Sequence, residues 1–159
     1  MADSGRSIPV KGRGHWFDGT AEADVSVNSN VGYMKFNHSF SIMTWVKVPS
    51  ITDTKQTIVS RSQAGNPVTN RLDFYLVSTN STATLGLEVL NDGADVYSDT
   101  HSTVPSNEWA WLTVTRDWVA KTVTLSINDS AKTAVSAEDL FILENDTTEL
   151  TIGMKYDPT

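Results

Sequence analysis

Apolar and polar residues alternate with a period of two along most of this chain, and turn-forming residues interrupt the alternation roughly every eight to twelve positions. Successive side chains of a β-strand point to opposite faces of a sheet, so this period places one class of residue on each face. The 3.6-residue period of an amphipathic helix is nearly absent. The sequence therefore predicts an all-β fold of the sandwich or barrel type.

The alternation places two strands in the first half of the chain. Residues 40–48 carry apolar side chains on both faces, which predicts a central strand. Residues 71–78 direct leucine and phenylalanine side chains inward and direct Asp73 and Tyr75 outward. This second segment is typical of a strand with one buried face.

Two hairpins are predicted further along. Residues 82–90 and 95–99 flank the tripeptide Asn-Asp-Gly at 91–93, whose residues tolerate a positive φ angle. Residues 108–116 and 122–128 alternate in the same way on either side of the turn Asp117-Trp118-Val119-Ala120. Each pair predicts two antiparallel strands joined by a tight connection.

The C-terminal part of the chain contains one segment with a helical signal. Residues 136–140 allow a single helical turn with Ser136 as its N-cap, and residues 148–155 alternate as a strand. Internal repeats and low-complexity tracts are absent from the sequence. We therefore predict one domain at 13–159, preceded by an N-terminal extension at 1–12.

Composition excludes several functions. The net charge is −7 and the 12 basic residues are scattered, which argues against nucleic acid as a partner. The chain has no cysteine, so disulfides and thiolate metal sites are excluded. No apolar stretch approaches the roughly 20 residues that span a bilayer, so we predict no membrane span.

Six groups of residues that recur in one known family occur here in that family's order. They are Phe17-Asp18-Gly19, Phe40-Ser41-Ile42 with Trp45-Val46-Lys47-Val48, Thr57-Ile58-Val59-Ser60, Trp109 with Leu112-Thr113-Val114-Thr115, Thr124-Leu125-Ser126-Ile127-Asn128-Asp129, and Leu150-Thr151-Ile152-Gly153. Over residues 16–154 the chain resembles the laminin G-like branch of the concanavalin A-like lectin and glucanase superfamily.

The resemblance implies a jelly-roll sandwich of two antiparallel sheets. It also implies core positions for Trp45 and Trp109, which match the family's core tryptophans. Family members continue into a last strand that pairs near the N-terminus, whereas this sequence stops at Thr159 without a counterpart. Either residues 1–15 replace that strand, the segment ends early, or another chain supplies it.

Members of this family bind glycans or protein partners outside the cell, often with one calcium ion, and the sequence offers candidate residues for both ligands. Aromatic rings stack on sugar C–H faces, and amides and carboxylates bond to hydroxyls. The ligand-binding candidates are Asp73, Tyr75, Asn91, Tyr97, Trp111 and Trp118. The calcium candidates are carboxylates, the hard oxygen ligands that calcium prefers, at Asp18, Asp92, Asp95 and Asp99.

Purely structural roles for these candidate residues stay open. Aspartate and asparagine are ordinary turn residues, and a half-buried tyrosine is common in a sandwich. Glycoside hydrolases of the superfamily carry two or three carboxylates on one strand, and the closest approach here is Glu22 and Asp24. Because no further acid follows on that strand, we predict that the chain is not an enzyme.

The sequence supports three hypotheses about function. The first is a non-catalytic module that binds glycan or a protein, assisted by calcium. The second is a structural interaction domain that contacts neighbouring domains or chains of a larger assembly, and the third is a glycosidase. We predict an extracellular or cell-surface location within a larger protein, which four N-x-S/T sequons favour, at Asn37, Asn80, Asn128 and Asn145.

Overall fold

The computed structural model describes a series of ranges along the chain. They are residues 8–10, 14–16, 25–27, 38–48, 51, 55–63, 71–79, 82–91, 94–132, 135–136 and 148–153. Every regular element in these ranges is a β-strand. The strands are β1 (Ile8–Val10), β2 (Gly14–Trp16), β3 (Val25–Val27), β4 (Phe40–Lys47), β5 (Gln56–Gln63), β6 (Arg71–Thr79), β7 (Thr82–Asn91), β8 (Ala94–Ser102), β9 (Trp109–Asp117), β10 (Thr122–Ile127), β11 (Ser130–Ala131), β12 (Val135–Ser136) and β13 (Thr148–Ile152).

Two large antiparallel sheets contain most of these strands. The six-stranded sheet has the order β3-β13-β5-β6-β7-β8. The five-stranded sheet has the order β11-β10-β9-β4, with β12 also pairing with β10, while β1 and β2 pair with each other. All of the pairings are antiparallel. The predicted all-β fold of two antiparallel sheets is confirmed.

One apolar core lies between the two sheets. Strand β9 alternates between buried residues and exposed or half-buried ones, and β10 between half-buried and buried ones, as a period of two requires. The core is formed by buried side chains from both sheets: Val59, Leu72, Phe74, Leu76, Leu85, Leu87, Val89, Val104, Ala110, Leu112, Val114, Val123, Leu125 and Ile127. Because each sheet has only one face in this core, every strand leaves alternate side chains on an outer face.

Both predicted hairpins are confirmed. Asn91 pairs with Ala94, which leaves two residues for the connection between β7 and β8. Asp117 pairs with Thr122 and begins the turn between β9 and β10. Its Oδ1 atom accepts hydrogen bonds of 2.9 Å from the backbone N–H groups of the second and third residues after it. Local turn chemistry therefore fixes the second hairpin.

Two local predictions differ from the structure. Ser136 lies in β12 and pairs with Thr122, so its prediction as a helix N-cap is wrong, and residues 137–140 lie outside the described ranges. The sequence predicts a central strand at 40–48, but among the described strands β4 pairs with β9 alone and ends the order of its sheet. The apolar residues on its outer side are exposed instead of covered.

Strands form near both ends of the chain, including within the predicted N-terminal extension. Residues 8–10 form β1 and pair with β2, so a hairpin crosses the boundary predicted between the extension 1–12 and the domain 13–159. Near the other end, β13 lies between β3 and β5 and has partners on both sides. No helix within the described ranges has the length and apolar character needed to cross a bilayer.

Candidate functional site

Three tryptophans share the outer face of the β4–β9 pair. Trp45 on β4 lies directly opposite Trp111 on β9, and Lys47 lies opposite Trp109. The ring centroids of Trp45 and Trp111 are 5.3 Å apart, with the ring planes tilted by 48°. Trp109 and Trp111 are two residues apart on one strand, so both project to the same side. We call Met43, Trp45, Trp109 and Trp111 the aromatic face.

Three of these four side chains are well exposed. The exposed fraction is 58% for Met43, 59% for Trp45 and 60% for Trp109, while Trp111 is half-buried between its neighbours. Exposed apolar surface forgoes roughly 25 cal/mol per Å² of burial, and contiguous patches of it usually mark a binding surface. The aromatic face is therefore the strongest candidate for a functional site in the described part of the chain.

The core positions implied for Trp45 and Trp109 are wrong. The core side of β4 and β9 is occupied by the alternate residues, such as Ile42, Leu112 and Val114. A period of two then directs both tryptophans to the opposite face of the sheet. Positions 43, 45, 109 and 111 share one face once β4 and β9 pair in register, and that pairing is not visible in the alternation of either strand alone.

An asparagine is fixed beside the aromatic face. The backbone N–H of Trp111 donates a hydrogen bond of 2.9 Å to Oδ1 of Asn128, and the backbone N–H of Asn128 donates one of 2.7 Å to the carbonyl of Trp111. Asn128 has a φ angle of 51°, a conformation that asparagine tolerates better than most residues. The exposed Asn128 therefore holds its amide oxygen at the backbone of Trp111.

Trp118 lies away from the aromatic face, in the turn between β9 and β10. Its ring is 5.6 Å from the guanidinium of Arg116 and stands edge-on to the ring of His38, with the centroids 6.2 Å apart. Its backbone N–H donates a 2.9 Å hydrogen bond to Oγ of Ser39. Arg116 is only 2% exposed, so Trp118 covers a buried cation. The ligand prediction for Trp118 is untested, but its packing already accounts for a tryptophan there.

Asp73 and Tyr75 lie on the outer side of the six-stranded sheet, as their position in the alternation predicts. Both side chains are nevertheless buried, with exposed fractions of 0% and 4%. Oγ of Ser60 donates a 2.7 Å hydrogen bond to Oδ1 of Asp73, and Nε of Arg71 lies 3.0 Å from Oδ2. The structure therefore offers a ligand no surface of Asp73 and very little of Tyr75.

Asp73 belongs to a cluster of four charged side chains that we call the ionic cluster: Lys55, Arg71, Asp73 and Glu88. Asp73 and Glu88 are opposite each other on β6 and β7. Nη2 of Arg71 lies 2.9 Å from Oε2 of Glu88, and Nζ of Lys55 lies 2.7 Å from the same oxygen. Two cations thus face two carboxylates, which satisfies their charges within the protein.

The ionic cluster keeps Glu88 in its charged form. Burial alone would raise the pKa of Glu88, but the hydrogen bonds and charges of Arg71 and Lys55 outweigh it and lower the pKa below the ordinary value of 4.5. A glycosidase acid needs the opposite shift, because it must hold a proton near neutral pH. Glu88 is therefore unsuited to act as a general acid.

The calcium candidates lie mostly beyond what the structure describes. Asp18 and Asp92 are outside the described ranges, and for Asp95 only the backbone in β8 is described. Nζ of Lys132 forms an ion pair with Oδ1 of Asp99 and donates to the carbonyl of Thr100 at 2.9 Å. A cation at Asp99 would have to displace this ammonium group, so Asp99 fits a calcium site poorly.

The remaining candidates can be placed only in part. Asn91 and Tyr97 are described through their backbones in β7 and β8, while Glu22 and Asp24 lie outside the described ranges. Within those ranges, no group of three or more His, Cys, Asp or Glu side chains could hold a metal ion. Nε2 of His101 lies 3.0 Å from the carbonyl of Ser130. This contact links β8 of the six-stranded sheet to β11 of the five-stranded sheet. The functional predictions at Asn91 and Tyr97 stay predictions.

Comparison with family models decides the family. A model of the Laminin_G_3 family, from the concanavalin A-like lectin/glucanases superfamily, matches residues 18–159. The chain belongs to this family. The resemblance expected from the six residue groups is thereby confirmed. Comparison with curated proteins gave no match to this Laminin_G_3 domain.

Solved structures share the fold of this Laminin_G_3 domain. CBM40 of the Ruminococcus gnavus IT-sialidase, bound to α2,3-sialyllactose, aligns with a TM-score of 0.60 and 16% identity, covering 72% of this chain and 63% of that one. Botulinum neurotoxin type C, whose cell entry depends on interaction with two ganglioside molecules, aligns with a TM-score of 0.60 and 18% identity. The alignment covers 85% of this chain and 32% of that one. An alginate lyase from Alteromonas sp. 272 aligns with a TM-score of 0.51 and 14% identity, and the alignment covers 82% of this chain and 57% of that one.

The three structures are distant from this Laminin_G_3 domain and longer than it. Their identities to this Laminin_G_3 domain are so low that the likeness shows the fold alone. The domain spans less than two thirds of each of the three chains. The superfamily name covers lectins as well as glucanases, and the three structures include a lyase beside two that interact with sialyllactose or gangliosides. Fold membership alone therefore leaves both binding and catalysis open.

Proposed function

We propose that this domain is a non-catalytic recognition module that binds glycans through the aromatic face. The proposal depends on one observation, the exposure of Trp45 and Trp109 on a sheet whose other side is packed into the core. Indole rings stack on the C–H faces of pyranose rings, and this contact needs large, accessible aromatic surfaces. The amide of Asn128, fixed beside Trp111, can bond to a sugar hydroxyl.

The fold relatives support the glycan as the ligand class. Two structures that share the sandwich interact with sialyllactose or gangliosides. A similar fold with an exposed tryptophan surface supports glycans in general as the ligand class, without specifying which sugars bind. The surface used here is argued from the tryptophans alone, because the low identities transfer no binding residue.

Absence of catalysis is part of the proposal. The carboxylates of Asp73 and Glu88 are neighbours on adjacent strands, but Arg71 contacts both, and the pKa of Glu88 is lowered. The rival glycosidase hypothesis depends on Glu22 and Asp24, which lie outside the described ranges. If replacing both residues by their amides abolished a glycan-cleaving activity of the wild-type chain, the rival hypothesis would be correct.

A glycan array with four samples tests the proposal: the wild-type chain, Trp45→Ala with Trp109→Ala, the control Val119→Ala, and the wild-type chain with a chelator. Val119 is a suitable control because it is apolar and 90% exposed but lies in the β9–β10 turn. We expect the double variant to lose binding and the control to keep it, with unchanged thermal unfolding. Silence of the wild-type chain with and without chelator would contradict the proposal.

The chelator sample tests the calcium part separately. Asp18, Asp92 and Asp95 would supply carboxylate ligands to a calcium ion, as the sequence predicts. If calcium assists binding, glycan signals disappear with chelator and return when calcium is added back. We also propose that the domain works outside the cell as part of a larger protein, where glycans of cell surfaces and matrices are accessible.

A protein partner is the second candidate ligand. Strand β4 carries Met43 and Trp45 and ends the described order of its sheet, so its apolar outer side could instead contact a neighbouring domain or chain. Sedimentation velocity distinguishes this structural role. Self-association that the double tryptophan variant abolishes, together with a silent glycan array, would favour the interaction domain.

A further inference from the structure

We infer that the ligand of the aromatic face is an extended, uncharged polysaccharide chain, bound lengthwise across the three indoles, and neither a single terminal sugar nor an acidic glycan. This inference rests on the proposed function and adds the ligand's shape and charge. Three independent features of the face support it: its openness, the spacing of its rings and the placement of charge around it.

The aromatic face is open. Sites for small ligands are concave and bury about 70–90% of the ligand surface. Trp45 and Trp109, exposed by 59% and 60%, project from the outer face of the sheet, so the described residues offer a ligand contacts from one side. A single sugar would therefore bury little of its surface on binding. Several linked sugars can bury more, because the contacts of each sugar add up. Affinity at such a face has to come from chain length.

The ring spacing fits consecutive sugar units. Trp109 and Trp111 are two residues apart on β9, so their Cα atoms are roughly 6.6 Å apart along the strand. Trp45 lies beside Trp111 on β4, with a centroid distance of 5.3 Å. Along β9, Trp109 and Trp111 thus repeat at about the length of one hexose unit, while Trp45 lies across the strand pair from Trp111. A chain lying along the strands can therefore stack one sugar on Trp109 and the next on the pair formed by Trp45 and Trp111.

Few charges lie on the outer side of the β4–β9 pair. In the strands themselves, the charged residues on this side are Lys47, opposite Trp109, and Asp117 at the far end. Oδ1 of Asp117 already accepts the two backbone hydrogen bonds of the β9–β10 turn. The other polar residues on this side are hydroxyl-bearing: Ser41, Thr113, Thr115, Thr122, Thr124 and Ser126. Hydroxyl groups suit neutral sugars.

In the described part of the chain, no arginine, the side chain best suited to bind a carboxylate in two places, is available on this side. Among residues whose side chains are described, the arginines are Arg61 and Arg116, exposed by 4% and 2%, and Arg71, which contacts Asp73 and Glu88. The net charge of −7 adds general repulsion of anionic polymers. An acidic sugar would therefore gain little beyond one contact with Lys47.

The test combines affinity electrophoresis with a length series. The intact chain is run through gels that contain hydroxyethyl cellulose, a β-1,3-glucan, a mannan, alginate or polygalacturonate. Oligosaccharides of one to six units are then prepared from each polymer that slows the protein in the gel, and their binding is titrated by calorimetry. 3′-Sialyllactose is titrated as the acidic terminal sugar. We expect retardation by at least one neutral polymer and an affinity at least tenfold higher for the hexasaccharide than for the monosaccharide.

Variants connect this result to the tryptophans. Trp109→Ala should weaken hexasaccharide binding about tenfold, the loss of one stacked ring, and Trp109→Tyr should restore most of it. Val119→Ala should have no effect. Retardation by acidic polymers only, or equal affinity for one and six units, would overturn this inference and leave glycan recognition intact. No glycan binding at all would overturn the proposed function as well.

Discussion

The ring of Tyr75 on β6 fills the space that a side chain at Gly86, its partner on β7, would need. A Cβ atom built on Gly86 would come within 2.7 Å of Cε2 and of the phenol oxygen of Tyr75, closer than such atoms approach in proteins. Nζ of Lys55 lies 4.5 Å from the centroid of the same ring. Glycine at position 86 therefore allows Tyr75 to be buried on the outer side of the sheet.

The first prediction concerns this contact. Gly86→Ala should destabilise the domain by about 1–3 kcal/mol, because the added methyl group forces the ring of Tyr75 out of place. The free energy of unfolding in urea measures the effect. Combining it with Tyr75→Leu, which removes the ring, should make the alanine much less harmful. An alanine variant as stable as the wild type would show that Tyr75 moves freely.

The second prediction follows from the lowered pKa of Glu88. A carboxyl whose pKa is lower in the folded state stabilises the fold fully above its ordinary pKa, 4.5, and loses this contribution as pH falls through the folded-state value. Unfolding free energies should therefore fall more steeply below pH 4.5 for the wild type than for Glu88→Gln. Parallel pH profiles for the two proteins would contradict the ionic cluster.

The third prediction concerns the β9–β10 turn. Lys121 has a φ angle of 53°, which costs an L-residue with a side chain roughly 1 kcal/mol but costs glycine little. Lys121→Gly should therefore leave stability unchanged or raise it by up to about 1 kcal/mol, measured by urea unfolding. Thr122→Gly, one residue later in β10, is the control and should destabilise. A loss of stability at both positions would show that Lys121 makes a contact worth more than its backbone strain.

The strand pattern was predictable because the alternation of apolar and polar residues within each strand indicates which of its faces is buried. The tight β7–β8 connection follows from the residues at 91–93, and the second hairpin from Asp117, whose side chain bonds to its own turn. These features depend on neighbours in sequence, so no knowledge of the full fold is needed. The family resemblance added the pairing of two sheets, which local patterns alone do not specify.

The candidate site was harder to predict, because exposure depends on which strands meet. Residues 40–48 are apolar on both faces, and the pattern cannot tell a covered outer face from an exposed one; the structure exposes Trp45. Asp73 reads as an outward residue, yet it is buried by contacts with Ser60 and Arg71. Ser60 comes from a neighbouring strand, so this contact depends on β5 and β6 pairing in register.

The most direct test of the aromatic face is the set of indole N–H signals in a two-dimensional ¹⁵N NMR spectrum. The chain has 5 tryptophans, so each ring reports separately during titration with a glycan that the array identifies. The signals of Trp45, Trp109 and Trp111 should shift together and saturate with one dissociation constant, while that of Trp118 stays in place. A saturating titration in which those three signals remain still, or in which Trp118 alone responds, would contradict the account.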